Sequence, residues 1–403
     1  MPRALVREAA QGFRDTFGRD PQGIWSAPGR VSVMGDHTDT QDGVSLGFGI
    51  ELRTVAAVAT RSDGKITIAT DLIPERAEAD LTDLEVSWGA NDWRSYPLGM
   101  IWAVLEHGRE NPPETLDDDP VETFFLGTGL DVFITTDVPI GGGLSSSASI
   151  CSSIGLALSD LWELNLDRAD IAACAMRAER DAAGASTGIA DHITSLYAEE
   201  NRIVFYDVRG ADVSPIDVME RMGTEQMAML TIDTRESHRN WSSDFADRSR
   251  DCNEVANAFG VQSLREVKLA DLEERAETLD EQAYRRARFI ITETQRTLDM
   301  VKALRTEGLE AAGELLNQSH AALRDDYGVS TDRLELTIEL ARHIGAIGAR
   351  PTGSGLGGSV FAVMPEAKVD EFRQMLESAY AEHGWEQPVT RIVSPSAGAR
   401  RDV

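Results

Sequence analysis

The sequence predicts an α+β protein of two domains, a mixed α/β first half followed by a second half of strands around a long helical region. Three observations carry this. The chain has 403 residues, more than one ordinary core accommodates and comfortable for two. Hydrophobic residues make up 42% and are spread throughout, so a folded chain is expected. Strand-like and helix-like patterns run through both halves, and a boundary placed near residues 200–215 divides the chain into 1–205 and 206–403.

The elements follow in order. Residues 31–34, 55–60 and 65–70 are rich in β-branched side chains and bounded by turn formers, as strands are. Residues 96–107 read as a helix, and 130–138 alternate as a strand that runs into Pro139 and a glycine triplet. After it, Ile150, Ile154, Leu158 and Leu161 recur at helical spacing and place a helix over 146–162, with a second over 168–182. The second half gives strands at 203–208 and 227–233, then a long helical region to Leu323. A helix at 334–344 leads into a glycine loop, a strand at 360–364, a helix at 368–381 and a strand at 389–393. The patch Asp117-Asp118-Asp119-Pro120 reads as a solvated loop. The sequence has no internal repeat and no low-complexity tract.

Charge and composition narrow the function. A net charge of -29 excludes nucleic acid or an anionic membrane as the main partner, while a nucleotide can still bind a locally positive pocket. No apolar run reaches the ~18 to 20 residues that span a bilayer. Residues 1–14 lack the apolar core and cleavage site of a secretory signal, so a cytoplasmic location is expected. Cys151, Cys174 and Cys252 form no close pair, which fits buried thiols rather than a disulfide framework or a zinc site. The sequence leaves a monomer and a weak homodimer both open.

Three loops carry the chemistry. Pro139-Ile140-Gly141-Gly142-Gly143-Leu144-Ser145-Ser146-Ser147-Ala148-Ser149 stands between a strand and a helix. Its glycines permit close backbone approach, and the helix start supplies unpaired N–H groups and a positive dipole end, a cradle for phosphate. Alone, it also fits an ordinary glycine turn into a serine-capped helix. The four lysines, Lys65, Lys268, Lys302 and Lys368, all lie outside a P-loop context. A nucleotide here would therefore be neutralised by backbone N–H groups, magnesium and arginine. The second loop, Gly353-Ser354-Gly355-Leu356-Gly357-Gly358, formally matches a dinucleotide fingerprint. That fingerprint needs a strand before it and a helix after it, whereas the pattern predicts a helix before and a strand after. The third segment, Gly29-Arg30-Val31-Ser32-Val33-Met34-Gly35-Asp36-His37-Thr38-Asp39, sets donors and acceptors suited to a polyhydroxyl ligand around one short strand, and alone it reads equally as a polar strand end.

In this order the three loops resemble the motifs of the GHMP kinases, and the segment around Gly35-Asp36-His37-Thr38-Asp39 resembles the galactokinase signature. The resemblance continues through Trp93-Arg94-Ser95-Tyr96, Gly188-Ile189-Ala190-Asp191, Asp233-Thr234-Arg235, Asn317 with Ser319-His320, and Ser396-Ala397-Gly398-Ala399-Arg400. It covers essentially the whole chain. It implies a mixed N-terminal domain, a ferredoxin-like C-terminal domain and an active site between them. It implies an ATP- and Mg²⁺-dependent kinase for the anomeric hydroxyl of a small sugar, galactose first. A related sugar (N-acetylgalactosamine, arabinose or galacturonate), a non-catalytic sugar sensor and a homoserine or mevalonate type of kinase are the alternatives.

Carried over by position, Asp191 matches the catalytic carboxylate and Arg30 its arginine. Asp36, His37, Asp39 and Gly188 match sugar contacts. Gly141, Gly142, Gly143, Leu144, Ser145, Ser146, Ser147 and Ala148 match the ATP loop, and Gly353, Ser354, Gly355 and Gly357 the third motif. Ser147 and Glu179 match magnesium ligands, oxygen donors that a hard cation prefers. The chain departs from the pattern at Asp36 (glutamate in the family), Thr40 and Phe245 (tyrosine), His192 (glutamine) and Phe289 (histidine). It departs again at Ser354, Leu356 and Ser359 in the third motif. The catalytic positions match while sugar-side positions differ, so the choice of sugar is where the expectation is most exposed.

Overall fold

Residue 23 begins a strand whose twelve residues are all buried, the first of the larger of two sheets. A computed structural model describes residues 2–84, 89, 92–111, 128–185, 187–236 and 241–403. The acidic patch at 117–120 lies outside them. The first part comprises α1 (Pro2–Phe17), β1 (Gly23–Met34), β2 (Val44–Arg61), β3 (Lys65–Thr70), β4 (Ala77–Asp80), α2 (Ser95–Glu110) and β5 (Gly129–Thr136). It continues with α3 (Ser146–Leu161), α4 (Arg168–Arg177), α5 (Ala190–Tyr197), β6 (Arg202–Asp207) and β7 (Asp212–Asp217). The second comprises α6 (Met219–Thr224), β8 (Met227–Asp233), α7 (Trp241–Phe259), α8 (Leu269–Glu274), α9 (Glu281–Lys302) and α10 (Leu309–Ala322). It closes with α11 (Asp332–Ile344), β9 (Gly348–Thr352), β10 (Ser359–Pro365), α12 (Val369–Glu382), β11 (Val389–Val393) and β12 (Arg400–Arg401).

The first sheet runs β12-β1-β2-β5-β3-β4, with the β6–β7 hairpin added along the start of β2. Its eighteen-residue β2 is the shared strand, pairing with β1, β5 and β6 along different stretches. Helices α2 to α5 cover one face through Met100, Ile101, Val104, Ile154, Leu158 and Ile171. Helix α1 covers another part through Ala9 and Phe13, four apart and so on one helical face. Burying Phe13 contributes about 2 kcal/mol over leaving it in water. The expected boundary after residue 205 falls inside the β6–β7 hairpin, which belongs to the first sheet. The C-terminal tail returns there as well: β12 pairs with β1, and buried Arg53 donates to the carbonyls of Ala397 at 2.6 Å and Gly398 at 2.8 Å.

The second sheet is antiparallel in the order β11-β8-β10-β9. Numbered from β8, that is 4-1-3-2, with helices returning between β8 and β9 and between β10 and β11, a ferredoxin-like arrangement. Helices α11 and α12 cover one face through Ile338, Phe372 and Leu376. The opposite face, with Met229, Phe361 and Val363, packs on Val31, Val33 and Leu46 of the first sheet. This shared core holds the two sheets together and brings the end of β1 against β9. No helix among the described residues is long and apolar enough to cross a membrane.

Two expectations need correction. The α-helix predicted over 168–182 gives way at Ala178–Ala182 to a π-helical turn, and Glu179 and Ala182 in it are both buried. The loop at 353–358 is preceded by a strand after all, because β9 leads into it. It is followed by β10, a strand paired with β9, so the unit is a hairpin and still lacks the helix a dinucleotide fingerprint requires.

Candidate active site

Arg30 lies on β1, 5% exposed, and its guanidinium reaches three acceptor atoms. Nε donates to Asp191 Oδ1 at 2.7 Å, Nη2 to Asp191 Oδ2 at 2.6 Å, and Nη1 to the Gly143 carbonyl at 2.7 Å. Asp191 stands in the first turn of α5, where a carboxylate also favours the helix dipole. Its Oδ2 accepts a further bond from the Ser145 hydroxyl at 2.6 Å. Burial works to raise the carboxyl, but the charge and paired hydrogen bonds of Arg30, with Ser145, hold it below the ordinary carboxylate range. A carboxylate offers about four acceptor positions. Three are taken, and the vacant one is on Oδ1.

Asp39 lies beside this pair in a different electrostatic setting. Its Oδ2 accepts the Ala190 N–H at 3.0 Å, and among the described residues no arginine bonds it. Burial raises its carboxyl to about 6, with the negative charges of Asp191 and Asp36 acting in the same direction. Gly188 packs so tightly here that a Cβ would fall 1.8 Å from Asp39 Oδ2. His37 adopts a left-handed backbone, φ 69°, and its ring sits between Tyr327 at 4.7 Å and Phe245 at 5.4 Å. Burial, then the charges of Arg248 and Arg350, lower it to about 3, so the ring is neutral at physiological pH. Among the described residues neither ring nitrogen meets the geometry of a full hydrogen bond, and the Ser354 backbone is the polar group that acts on the ring. Asp36 pairs with Arg350 through Oδ2 and accepts the Gly353 N–H at 3.2 Å through Oδ1.

The serine-rich loop meets this pocket from the other side. Ser145, the N-cap of α3, has φ 54° and turns its hydroxyl to Asp191 instead of capping the helix. The first-turn N–H groups of α3 thus have no side-chain cap, as an anion site requires. Gly143, at φ 74°, lies against the β9–β10 hairpin: a Cβ would come within 3.1 Å of the Thr352 carbonyl. Ser359 Oγ donates to the Gly142 carbonyl at 2.5 Å, so the hairpin props the loop. Glu179 is buried on the π-helical turn, and among the described residues its Oε1 has no hydrogen-bond partner. It stands 3.8 Å from His192 Nε2, whose fully buried ring likewise makes no hydrogen bond to a described residue. A buried, unpaired carboxylate oxygen suits a hard cation, and so does the half-buried hydroxyl of Ser147 at the helix start.

One pocket is lined by Arg30, Asp36, His37, Asp39, Gly188, Asp191, Gly353 and Ser354 together. The loop residues 141–148 do not line it, but Gly143 and Ser145 touch its wall through Arg30 and Asp191. Gly355 and Gly357 face elsewhere: they pack against Val329 and Glu236 and shape the hairpin turn. Sequence reasoning missed Arg350 and the lining residues Ser32, Ser45 and Thr187. Arg350 stands three residues before Gly353 on the unpredicted β9, and an arginine in so short a segment beside a glycine loop was the available signal.

The comparisons with known proteins agree with this geometry. Residues 11–60 match the galactokinase galactose-binding signature. Residues 100–199 match the GHMP kinases N terminal domain, and 300–382 the GHMP kinases C terminal. A galactokinase of Streptomyces coelicolor is 36% identical over 404 aligned residues, covering 100% of both chains. The chain belongs to the galactokinase family. A Mycobacterium tuberculosis galactokinase is 33% identical over 384 residues, 93% of this chain and 98% of its own. Among solved structures, Lactococcus lactis galactokinase complexed with galactose superposes with a TM-score of 0.87 at 27% identity, covering 98% of this chain and 99% of its own. Methanococcus jannaschii mevalonate kinase shares the fold alone, with a TM-score of 0.62 at 17% identity over 93% of this chain and 98% of its own. As a member of the galactokinase family, this chain is a two-domain GHMP kinase that uses ATP to phosphorylate a sugar.

Proposed function

We propose that this galactokinase-family enzyme transfers the terminal phosphoryl group of ATP to the anomeric hydroxyl of galactose, giving ADP and galactose 1-phosphate. One observation carries the reading: a single carboxylate, Asp191, is bonded both to the phosphate-side loop through Ser145 and to the sugar-side strand through Arg30. A phosphate on the α3 start and a hydroxyl in the pocket then meet at that carboxylate.

In the proposed mechanism the anomeric hydroxyl donates to the vacant position on Asp191 Oδ1. Asp191 orients it and receives its proton as the oxygen bonds to phosphorus. A carboxylate held at low pKa is a weak base, so its main service is positioning, with proton transfer late in a loose transition state. Arg30 keeps Asp191 ionised and sets positive charge beside the transferring group. The loop N–H groups from 141–148 and the α3 dipole bind the phosphates. Asp36, His37, Asp39 and the close backbone at Gly188 hold the remaining sugar hydroxyls, while Gly353 and Ser354 close the pocket from the second sheet. Magnesium, held by Ser147 and Glu179, would offset phosphate charge. We place the enzyme where its ATP is, in the cytoplasm.

The test is a coupled ADP-release assay over galactose, N-acetylgalactosamine, arabinose and galacturonate with Mg²⁺-ATP. Galactose is expected to give the highest kcat/KM. Turnover of another sugar well above galactose would overturn the substrate, and absence of turnover with all four would overturn the activity.

A further inference from the structure

Behind the pocket lies a buried charge cluster centred on Arg350. Arg350 on β9 is fully buried; its Nη2 pairs with Asp36, and its Nη1 donates to the Val33 carbonyl at 3.0 Å. The same Nη1 lies 3.6 Å from Glu293 on α9, itself fully buried. Glu293 accepts from Ser319 Oγ on α10 at 2.6 Å and from the Gly35 N–H at 3.4 Å, and it pairs with Arg296. Two residues along β9, Thr352 shares Arg350's face and bonds both backbone groups of Ser32, at 2.9 and 3.0 Å. Asn317 grips the strand on its other side, donating to the Ile347 carbonyl at 3.0 Å and accepting the Ala349 N–H at 3.3 Å. Charges balance within the cluster, with Asp36 and Glu293 against Arg350 and Arg296, as buried charges must.

We propose that Arg350 is a positioning residue for sugar recognition: it fixes the Asp36 carboxylate at the pocket wall, and Glu293, Ser319 and Asn317 hold Arg350 in place. Each Asp36 oxygen spends one acceptor position on the protein, Oδ2 on Arg350 and Oδ1 on Gly353, and keeps one for a sugar hydroxyl. The direction of those free positions is set by the guanidinium. This also gives Asn317 and Ser319, neither of which lines the pocket, a part in binding. The inference rests on the reading that galactose occupies this pocket.

Calorimetric binding of galactose to Arg350→Lys, Asp36→Asn and the double variant tests it, with KM for ATP and a thermal melt measured alongside. Lysine keeps the charge but loses the planar fork. Arg350→Lys is expected to weaken galactose binding ~10- to 100-fold, the scale of a hydrogen bond to a charged group. KM for ATP should stay within about threefold, and in the Asp36→Asn background the lysine should weaken galactose by less than about threefold. Effects that multiply in the double variant, or an equal loss for ATP, would overturn the proposal. Should Arg350→Lys fail to fold, Glu293→Gln must show the same dependence on Asp36, and independence there is equally fatal. Wild-type protein that binds galactose without turnover would sink the kinase reading and leave this one standing. Wild-type protein that does not bind galactose sinks both.

Discussion

Asp191 and Asp39 line the same pocket, and each is half-buried, yet they differ in what faces them. Asp191 receives two hydrogen bonds from Arg30 and one from Ser145, and its carboxyl is held low. Asp39 receives one backbone N–H and faces two other carboxylates, and its carboxyl rises to about 6. Burial alone pushes both upward; the guanidinium decides the outcome. In the proposed mechanism the transfer end of the pocket is therefore biased toward the ionised form, while Asp39 at the sugar end, raised to about 6, lies within reach of ordinary pH. His37 extends the contrast, since burial there lowers a base to about 3 and leaves a neutral ring.

The largest effect that could break this comparison is at Asp191. Asp191→Ala is expected to lower kcat by roughly 10² to 10⁴-fold, the scale of a positioned acid–base group. Steady-state rates near wild type would show that the ionised end is not where transfer occurs. Next is Gly188→Ala, whose Cβ would lie 1.8 Å from Asp39 Oδ2 and must push it aside. Galactose KM should rise ~10- to 100-fold with kcat less affected, the signature of lost ground-state binding. An equal fall in kcat would place Asp39 at the transfer end instead.

The pH dependence sharpens the contrast. If ionised Asp39 is the form that binds sugar, kcat/KM should fall on the acid side through about pH 6, and Asp39→Asn should abolish that limb. A limb that persists in the variant would assign it elsewhere. The smallest effect is on stability. A carboxyl whose pKa is raised on folding binds its proton more tightly in the native state, so its cost is absent below the unfolded value. That cost grows with rising pH and is complete above the folded value of about 6. Asp39→Asn, whose amide oxygen can still accept the Ala190 N–H, should gain about 1 to 3 kcal/mol at pH 8 and little at pH 4. Thermal melts at the two pH values check this, and an equal change at both would contradict it.

Much of the fold was legible because its signals are local. β3, β8 and β11 stand at 65–70, 227–233 and 389–393 as expected, and α3 starts at Ser146 as the spacing of Ile150, Ile154 and Leu158 required. β9 was not legible: Gly-Ala-Arg-Pro-Thr has no strand pattern, and pairing with β10 and the grip of Asn317 hold it extended. β12 is two residues long and exists only through its pairing with β1, near the opposite end of the chain. β7 contains Pro215, which an edge strand tolerates and a propensity reading penalises. The pocket residues Arg30, Asp36, His37, Asp39, Gly188 and Asp191 were found through motif order, and the structure brings them together. Arg350 escaped because an arginine predicts a surface position, while its partner Asp36 lies 314 residues earlier in the chain.

The most direct test of the account is a crystal structure of Asp191→Asn with galactose and a non-hydrolysable ATP analogue. The account predicts the anomeric oxygen within hydrogen-bond reach of the residue 191 side chain, and the terminal phosphate between that oxygen and the α3 start. Galactose bound with its anomeric oxygen turned away from residue 191, or phosphates seated off the 141–148 loop, would contradict it.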